Sequence, residues 1–390
     1  MSMQSEERRV YLDNNATTQI APKVTEAMLP YFKDLYGNPS SMHRFGGQVA
    51  EGVDKAREEL ADLLHASPEE LIFTASGTES DNTAFWSALQ SRPERRHIIT
   101  TKVEHPAILN VCQFYEREGY HVTYLEVDEK GRLNLDEYAR ALSDDTALVS
   151  VMFANNEIGN IYPIEEMARM ARDKGVLFHT DAVQAIGKIA VDLRSLPVDM
   201  LSLSGHKIHA PKGIGALYVR KGVRFRPLIR GGHQENGRRA GTENVPYIVG
   251  LGEAAKLCQE FIGVEQTKVA ALRDKLESGL LASIPDSKVN GDPACRLPNT
   301  TNISFKNVEG EAILLLLDRL GIAASSGSAC TSGSLEPSHV LRAMRVPFNY
   351  AHGSIRMSLS RYTTEDDIDY VIKVFPGIIK TLRDISPFKD

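Results

Sequence analysis

Between about residues 50 and 220, short apolar runs alternate with stretches in which apolar residues recur at helical spacing. Gly52–His65 puts Val53, Ala56, Leu60, Leu63 and Leu64 on one face, the pattern of an amphipathic helix. Leu71–Thr74 reads as a strand, followed by Ala-Ser-Gly-Thr-Glu-Ser and a helix from about Asp81. Further strands are predicted at Ile98–Thr101, Val122–Leu125, Ala147–Phe153, Val176–His179, Met200–Leu203 and Ala216–Val219. Helices fit Leu109–Glu118, Leu135–Leu142 and Glu165–Lys174. This alternation predicts an α/β fold with a mostly parallel central sheet wrapped by helices.

After about residue 260 the pattern changes. A long charged helix is predicted near Val264–Leu281, then a strand at Thr301–Phe305, a helix at Glu311–Leu320, and a final helix from about Thr364 to Leu382. The expected division is a large domain over residues 16–260 and a smaller α+β domain made of residues 1–15 and 261–390.

The chain has 390 residues, 42% hydrophobic and 25% charged, the balance of a soluble globular protein large enough for two or three cores. Its formal net charge of −6 gives no footprint for nucleic acid, and Arg238-Arg239 is too short a basic cluster to supply one. Met1 to Arg9 is polar, with no apolar signal-peptide segment, and the longest apolar stretch, Ala312–Leu317, is far too short to span a bilayer. A cytoplasmic protein with reduced thiols and no membrane contact is expected.

Four cysteines, Cys112, Cys258, Cys295 and Cys330, are spread without a C-x-x-C pair, so neither a zinc knuckle nor a disulfide framework is indicated. The first three read as packing residues. Cys330 differs. Its run, residues 323–337, is Ala-Ala-Ser-Ser-Gly-Ser-Ala-Cys-Thr-Ser-Gly-Ser-Leu-Glu-Pro, a composition that disfavours helix and strand interiors and describes a loop carrying one nucleophile.

Three strand ends carry further chemistry. Ser204-Gly205-His206-Lys207 follows a predicted strand, where open α/β sheets bind ligands and where a buried lysine can form a Schiff base. Taken alone, Lys207 would more often be a solvated loop lysine. Asp181 ends another strand, and could pair with a protonated pyridine nitrogen, although an isolated aspartate there more often caps a helix. Ser76-Gly77-Thr78-Glu79-Ser80 opens a helix whose N–H groups suit a phosphate. His206 and His209 have no Cys or carboxylate to complete a metal site, and Gly231-Gly232-His233 reads as a turn near the Thr242 loop.

The order of phosphate cup, aspartate and lysine is that of a fold-type I pyridoxal phosphate enzyme. Tyr11–Thr18, Gly37–Ser41, Asn155–Gly159, Ser204–Lys207, Arg239–Asn244 and Ser328–Ser332 together resemble cysteine desulfurases of the class V aminotransferase family. The resemblance runs from about Tyr11 to Pro387.

The resemblance implies pyridoxal 5′-phosphate as cofactor, bound to Lys207 as a Schiff base, with Lys207 later moving the substrate Cα proton. It implies that Asp181 meets the pyridine nitrogen, Gln184 the ring oxygen, and His105 the ring face. His105 read by itself is a helix-capping surface residue. Gly77, Thr78, Ser204 and His206 would hold the phosphate. Thr242 would reach the phosphate of a neighbouring subunit in a homodimer. Asn156 and Arg356 would fix the carboxylate of the substrate, L-cysteine, whose sulfur passes to Cys330 as a persulfide with release of L-alanine. Cys330 is also a candidate transient iron–sulfur ligand. The segments Thr331–His339 and Ala351–Ser354 look most like the nitrogen-fixation branch (NifS type), which implies delivery of sulfur to a NifU-type scaffold for nitrogenase maturation. A housekeeping (IscS-type) role with an IscU-type acceptor is the alternative branch. The chain stops at Asp390 without the longer tail of housekeeping relatives, so their docking mode is not carried over.

Other classes remain open on the residues alone. A selenocysteine lyase or class V aminotransferase would need the cofactor residues without a Ser-Gly-Ser-Ala-Cys loop. A non-enzymatic sulfur carrier or iron–sulfur scaffold would need clustered cysteines.

Overall fold

The computed structural model describes residues 8–326 and 337–386; Cys330 lies outside the described residues. A two-residue strand, β1 (Val10–Tyr11), opens the described chain. Seven strands follow: β2 (Leu71–Thr74), β3 (His97–Thr101), β4 (His121–Leu125), β5 (Thr146–Ser150), β6 (Leu177–Asp181), β7 (Met200–Ser204) and β8 (Gly215–Val219). They form one sheet in the order β2-β8-β7-β6-β5-β3-β4, parallel except for β8, which runs antiparallel to both neighbours. Every residue of β3, β5, β6, β7 and β8 is buried, as expected for strands covered by helices on both faces. Helix Gly77–Ser91 packs one face through Phe85, and Arg44–Leu64 and Val245–Val264 close the other through Leu60 and Leu251.

Three strands complete the chain's second group: β9 (Ser287–Val289), β10 (Thr300–Phe305) and, beyond β11 (Ile322–Ala323), β12 (Ser354–Ser358). β12, β10 and β9 form an antiparallel sheet in that order. Its core joins Phe305, Ile355 and Met357 to Leu276 and Phe375 of the helices Ala270–Ser283 and Glu365–Ile385. Val10 and Leu12 belong to this core, because β1 pairs in parallel with β11. The N-terminal segment then runs on past Ser358 to Asn15 and Ala16, which line a cavity between the two sheets.

The structure corrects several boundaries. Arg44–Leu64 begins a full two turns before Gly52, and Gly77–Ser91 begins at Gly77 rather than Asp81. The charged helix expected from Val264 is the second half of a longer helical run: Val245–Val264 passes through a π-turn, Glu265–Val269, into Ala270–Ser283. Its first half carried no readable stripe because it is apolar on most sides and lies against the helix Arg44–Leu64. The contact is close enough that a Cβ on Gly252 would stand 2.5 Å from Ala56 Cα. Cys112 and Cys258 are buried, as expected, but Cys295 is exposed, because its Asp-Pro-Ala-Cys turn lies outside the sheets. Among the described residues, no helix is long and apolar enough to cross a membrane.

Candidate active site

A cavity of about 380 Å³ opens at the carboxyl ends of β6 and β7. Gly77, Thr78, His105, Asn156, Asp181, Gln184, Ser204, His206, Lys207 and Arg356 all line it. Thr242 does not; it is exposed on a separate loop, and Gly231-Gly232-His233 also lies away from the cavity.

One end of the cavity is the start of helix Gly77–Ser91. Ser76 Oγ accepts the N–H of Glu79 at 3.1 Å, so the N–H groups of Gly77 and Thr78 are the first-turn donors left without helical partners. A Cβ on Gly77 would sit 2.8 Å from Val183 Cγ2 and 3.4 Å from the Cβ of Ser204. Only glycine lets this helix start come so close to the strand ends. Beside it, His206 Nδ1 is hydrogen-bonded to Thr17 Oγ1 at 3.2 Å, and burial, followed by the charge of Lys207, pushes the imidazole down to about 4. It is therefore a neutral ring at physiological pH.

Lys207 follows β7 in a short turn and turns its amine inward, donating to the carbonyls of Asn15 (2.5 Å) and Ala16 (2.8 Å). Burial, reinforced by Lys188 and Arg356, pushes the amine down to about 7, within reach of the neutral form a nucleophile needs. Across the cavity, Asp181 ends β6 and its Oδ1 accepts the N–H of Val183 at 2.9 Å. Burial raises its carboxyl, while His105 and Lys207 oppose the rise, so a cationic partner in the cavity favours the ionised form. Beneath it, Asp81 and His179 are fully enclosed. Burial and the nearby Asp181 hold the Asp81 carboxyl well above its usual range, and burial holds His179 down at about 3.

His105 both caps and lines. Its Nδ1 accepts the N–H of Ala107 at 3.1 Å at the start of helix Pro106–Arg117, which assigns the ring proton to Nε2. Burial keeps the ring neutral. The loop before it is pinned by the buried Glu104, whose carboxyl group, pushed up to about 8 by burial, accepts Met152 N–H at 3.0 and 3.1 Å and the Thr101 hydroxyl at 2.8 Å.

At the opposite end, Arg356 enters from β12. It donates to Asp13 Oδ1 at 2.8 Å and to the carbonyl of Asn156 at 3.1 Å, and among the described residues its buried Nε has no partner. Its backbone exchanges both hydrogen bonds with Ser325, at 2.7 and 3.1 Å. Asn156 thus supplies its carbonyl to Arg356 and lines the cavity without a hydrogen bond of its own to the arginine from the amide. Sequence reasoning assigned no role to Asp13, Asn15 or Glu104. A clue was present for Asn15: three polar residues in a row after a strand, two of them now buried.

The family model for aminotransferase class V matches residues 10–371. The chain belongs to the class V aminotransferase family. Relatives it resembles over nearly its whole length are named cysteine desulfurases. It is 60% identical over 380 residues to cysteine desulfurase NifS of Azotobacter vinelandii, covering 97% of this chain and 94% of that one. It is 62% identical over 383 residues to a cysteine desulfurase of Trichormus azollae, covering 98% and 95%. A solved NifS-like protein superposes with a TM-score of 0.91 at 41% identity, over 96% of this chain and all of that one. The fold is accordingly fold-type I.

Pyridoxal 5′-phosphate is the cofactor of this family, and the cavity fits it. The glycine-floored helix start suits a phosphate, the buried Asp181 a protonated ring nitrogen, and the depressed Lys207 amine a covalent link to an aldehyde. Among the described residues, no group of three or more His, Cys, Asp or Glu side chains could hold a metal ion.

Proposed function

We propose that this chain removes sulfur from L-cysteine, releasing L-alanine and leaving the sulfur as a persulfide on Cys330. The observation that carries this reading is Lys207, an amine lowered to about 7, in one cavity with a buried carboxylate and an arginine whose buried Nε has no partner among the described residues. When bound, pyridoxal phosphate supplies the electron sink for chemistry at the substrate Cα and Cβ. Asp181 holds the proton on the cofactor's ring nitrogen, and Gln184 donates to its ring oxygen. Gly77, Thr78, Ser204 and His206 bind its phosphate, and the neutral His105 packs against the ring. Arg356 grips the substrate carboxylate in place of Asp13, with Asn156 beside it. Lys207 Nζ takes the proton from the substrate Cα. The thiolate of Cys330 attacks the substrate sulfur; the Cβ–S bond breaks as the S–S bond forms, its electron pair going to the substrate carbon, which gains a proton to become alanine.

The test is product release from L-cysteine. Wild-type protein should yield equimolar alanine and, with a thiol reductant, sulfide, whereas Cys330→Ala should yield neither. Full activity in Cys330→Ala would sink this assignment. Borohydride reduction should fix the cofactor on the Lys207 peptide alone.

The same reading divides the chain into a cofactor-binding domain over residues 16–260 and a small domain of residues 1–15 and 261–390. It makes the active unit a homodimer in which Thr242 reaches the partner's phosphate. The exposed Leu29, Phe32, Tyr36 and Met42 support burial of that face against a second copy. Sedimentation velocity checks it. The sulfur acceptor is proposed to be a NifU-type scaffold that assembles iron–sulfur clusters for nitrogenase, in the cytoplasm. The similarity to NifS supports that branch over the housekeeping one, and persulfide transfer assays with NifU- and IscU-type scaffolds discriminate them.

A further inference from the structure

Lys188 is 6% exposed, seven residues beyond the strand-end Asp181, and no carboxylate forms an ion pair with it among the described residues. Burying an unpaired ammonium is costly, so its retention calls for a reason. Its Nζ donates twice, to the carbonyl of Gln184 and to Gln184 Oε1, each at 3.0 Å.

The second contact decides which way the glutamine amide points. Gln184 has an oxygen and an NH₂ group that could exchange places, but an ammonium has only donors and must face the oxygen. The NH₂ group therefore faces the cavity. One of its N–H bonds goes to the carbonyl of Asn15 at 2.9 Å, the same oxygen that holds Lys207 Nζ. The other remains for an acceptor in the cavity.

The surroundings maintain Lys188 without capturing it. Glu265, 5% exposed, faces it from the π-turn, and Cys258 from the preceding helix; Arg356 and Lys207 add positive charge from the cavity side. A π-turn is rare within α-helix and tends to mark functional positions. Here Glu265 opens the π-turn and shares one small cavity with Lys188, whose hydrogen bonds go to Gln184.

We propose that Lys188 is a positioning residue of the active site, fixing Gln184 so that its NH₂ group meets the ring oxygen of the bound cofactor. This rests on the reading of the cavity as a pyridoxal phosphate site. A donor on the ring oxygen lowers the basicity of the linked imine nitrogen, and without it the nitrogen holds its proton to higher pH.

The test is the pH midpoint of the visible absorbance band of the holoenzyme, without substrate. Gln184→Leu and Lys188→Met should each raise the midpoint by at least about 0.5 unit, a threefold change in proton affinity. The double variant should move no further than either single one. A Lys188→Met midpoint equal to wild type, or a double shift equal to the sum of the singles, overturns the proposal. Should Lys188→Met fail to fold, Lys188→Arg, which keeps the charge and an N–H donor, should titrate like wild type; a Gln184→Leu-like midpoint overturns the proposal instead. The cofactor reading stands or falls separately, since Lys207→Ala should abolish the covalent band and its persistence there refutes that reading.

Discussion

The guanidinium of Arg356 and the carboxylate of Asp13 meet at 2.8 Å inside the cavity, joining positions 343 residues apart. An incoming α-carboxylate must take over that guanidinium, so Asp13 competes with the substrate. Arg356→Lys is expected to raise KM for L-cysteine ten- to a hundredfold, in line with about 1.5–3 kcal/mol for a hydrogen bond to a charged group. Asp13→Asn should lower KM severalfold. Steady-state kinetics read both, and an unchanged KM in both removes Arg356 from the substrate site.

Gly77→Ala should weaken cofactor binding about tenfold, because the new methyl meets Val183 Cγ2 at 2.8 Å and pushes the helix start away from the cavity. Equilibrium dialysis against pyridoxal phosphate measures it. Val183→Ala in the same chain should restore most of the affinity; no restoration would show that the clash is not the cause.

His105 can be divided into its two tasks. His105→Ala should lose about 1 kcal/mol of stability with the helix cap, as well as turnover. His105→Asn should keep the stability, since asparagine caps helices, and still lose turnover. Denaturant titration and alanine release separate them. An active His105→Asn would mean that capping is its whole contribution.

Lys207 predicts a pH dependence for the cofactor-free protein. Its amine falls from 10.5 to about 7 on folding, so between those values the unfolded chain binds a proton that the folded chain has released. Stability therefore rises with pH across that window, and the penalty is complete below about pH 7. Lys207→Met should flatten the rise in a thermal-unfolding series from pH 6 to 10. The rate of cofactor capture should likewise climb through about pH 7 and then level off, whereas a climb centred near 10 would contradict a buried amine.

Lys207 and Asp181 could be read from sequence because each sits in a polar run directly after an apolar strand, and strand ends are where such sheets gather ligands. Lys188 and Glu104 could not. Each looks like an ordinary charged surface residue, and burial comes to them only from distant packing, such as the helix Val245–Val264 closing behind Lys188. In that helix, already without a polar face, Gly250 and Gly252 further weaken a helical reading while admitting Met28 and Ala56 to close contact. For His105 the sequence allows cap or ring partner; the structure shows the cap and sets the side chain on the cavity wall. Cys295 was grouped with the packing cysteines, and its place on an outer turn separates it from them.

The parallel pairing of Val10–Tyr11 with Ile322–Ala323 has a consequence for biosynthesis. Val10 and Tyr11 must wait for more than three hundred later residues before their hydrogen-bonding partner exists. Asn15, the oxygen on which Lys207 and Gln184 both rest, is held in register by that late pairing. A nascent chain can complete its large sheet early, with Asp181 and Lys207 at the carboxyl ends of central strands, yet the pocket stays open on one side. Cofactor capture in its final geometry is accordingly a late event in the making of this protein.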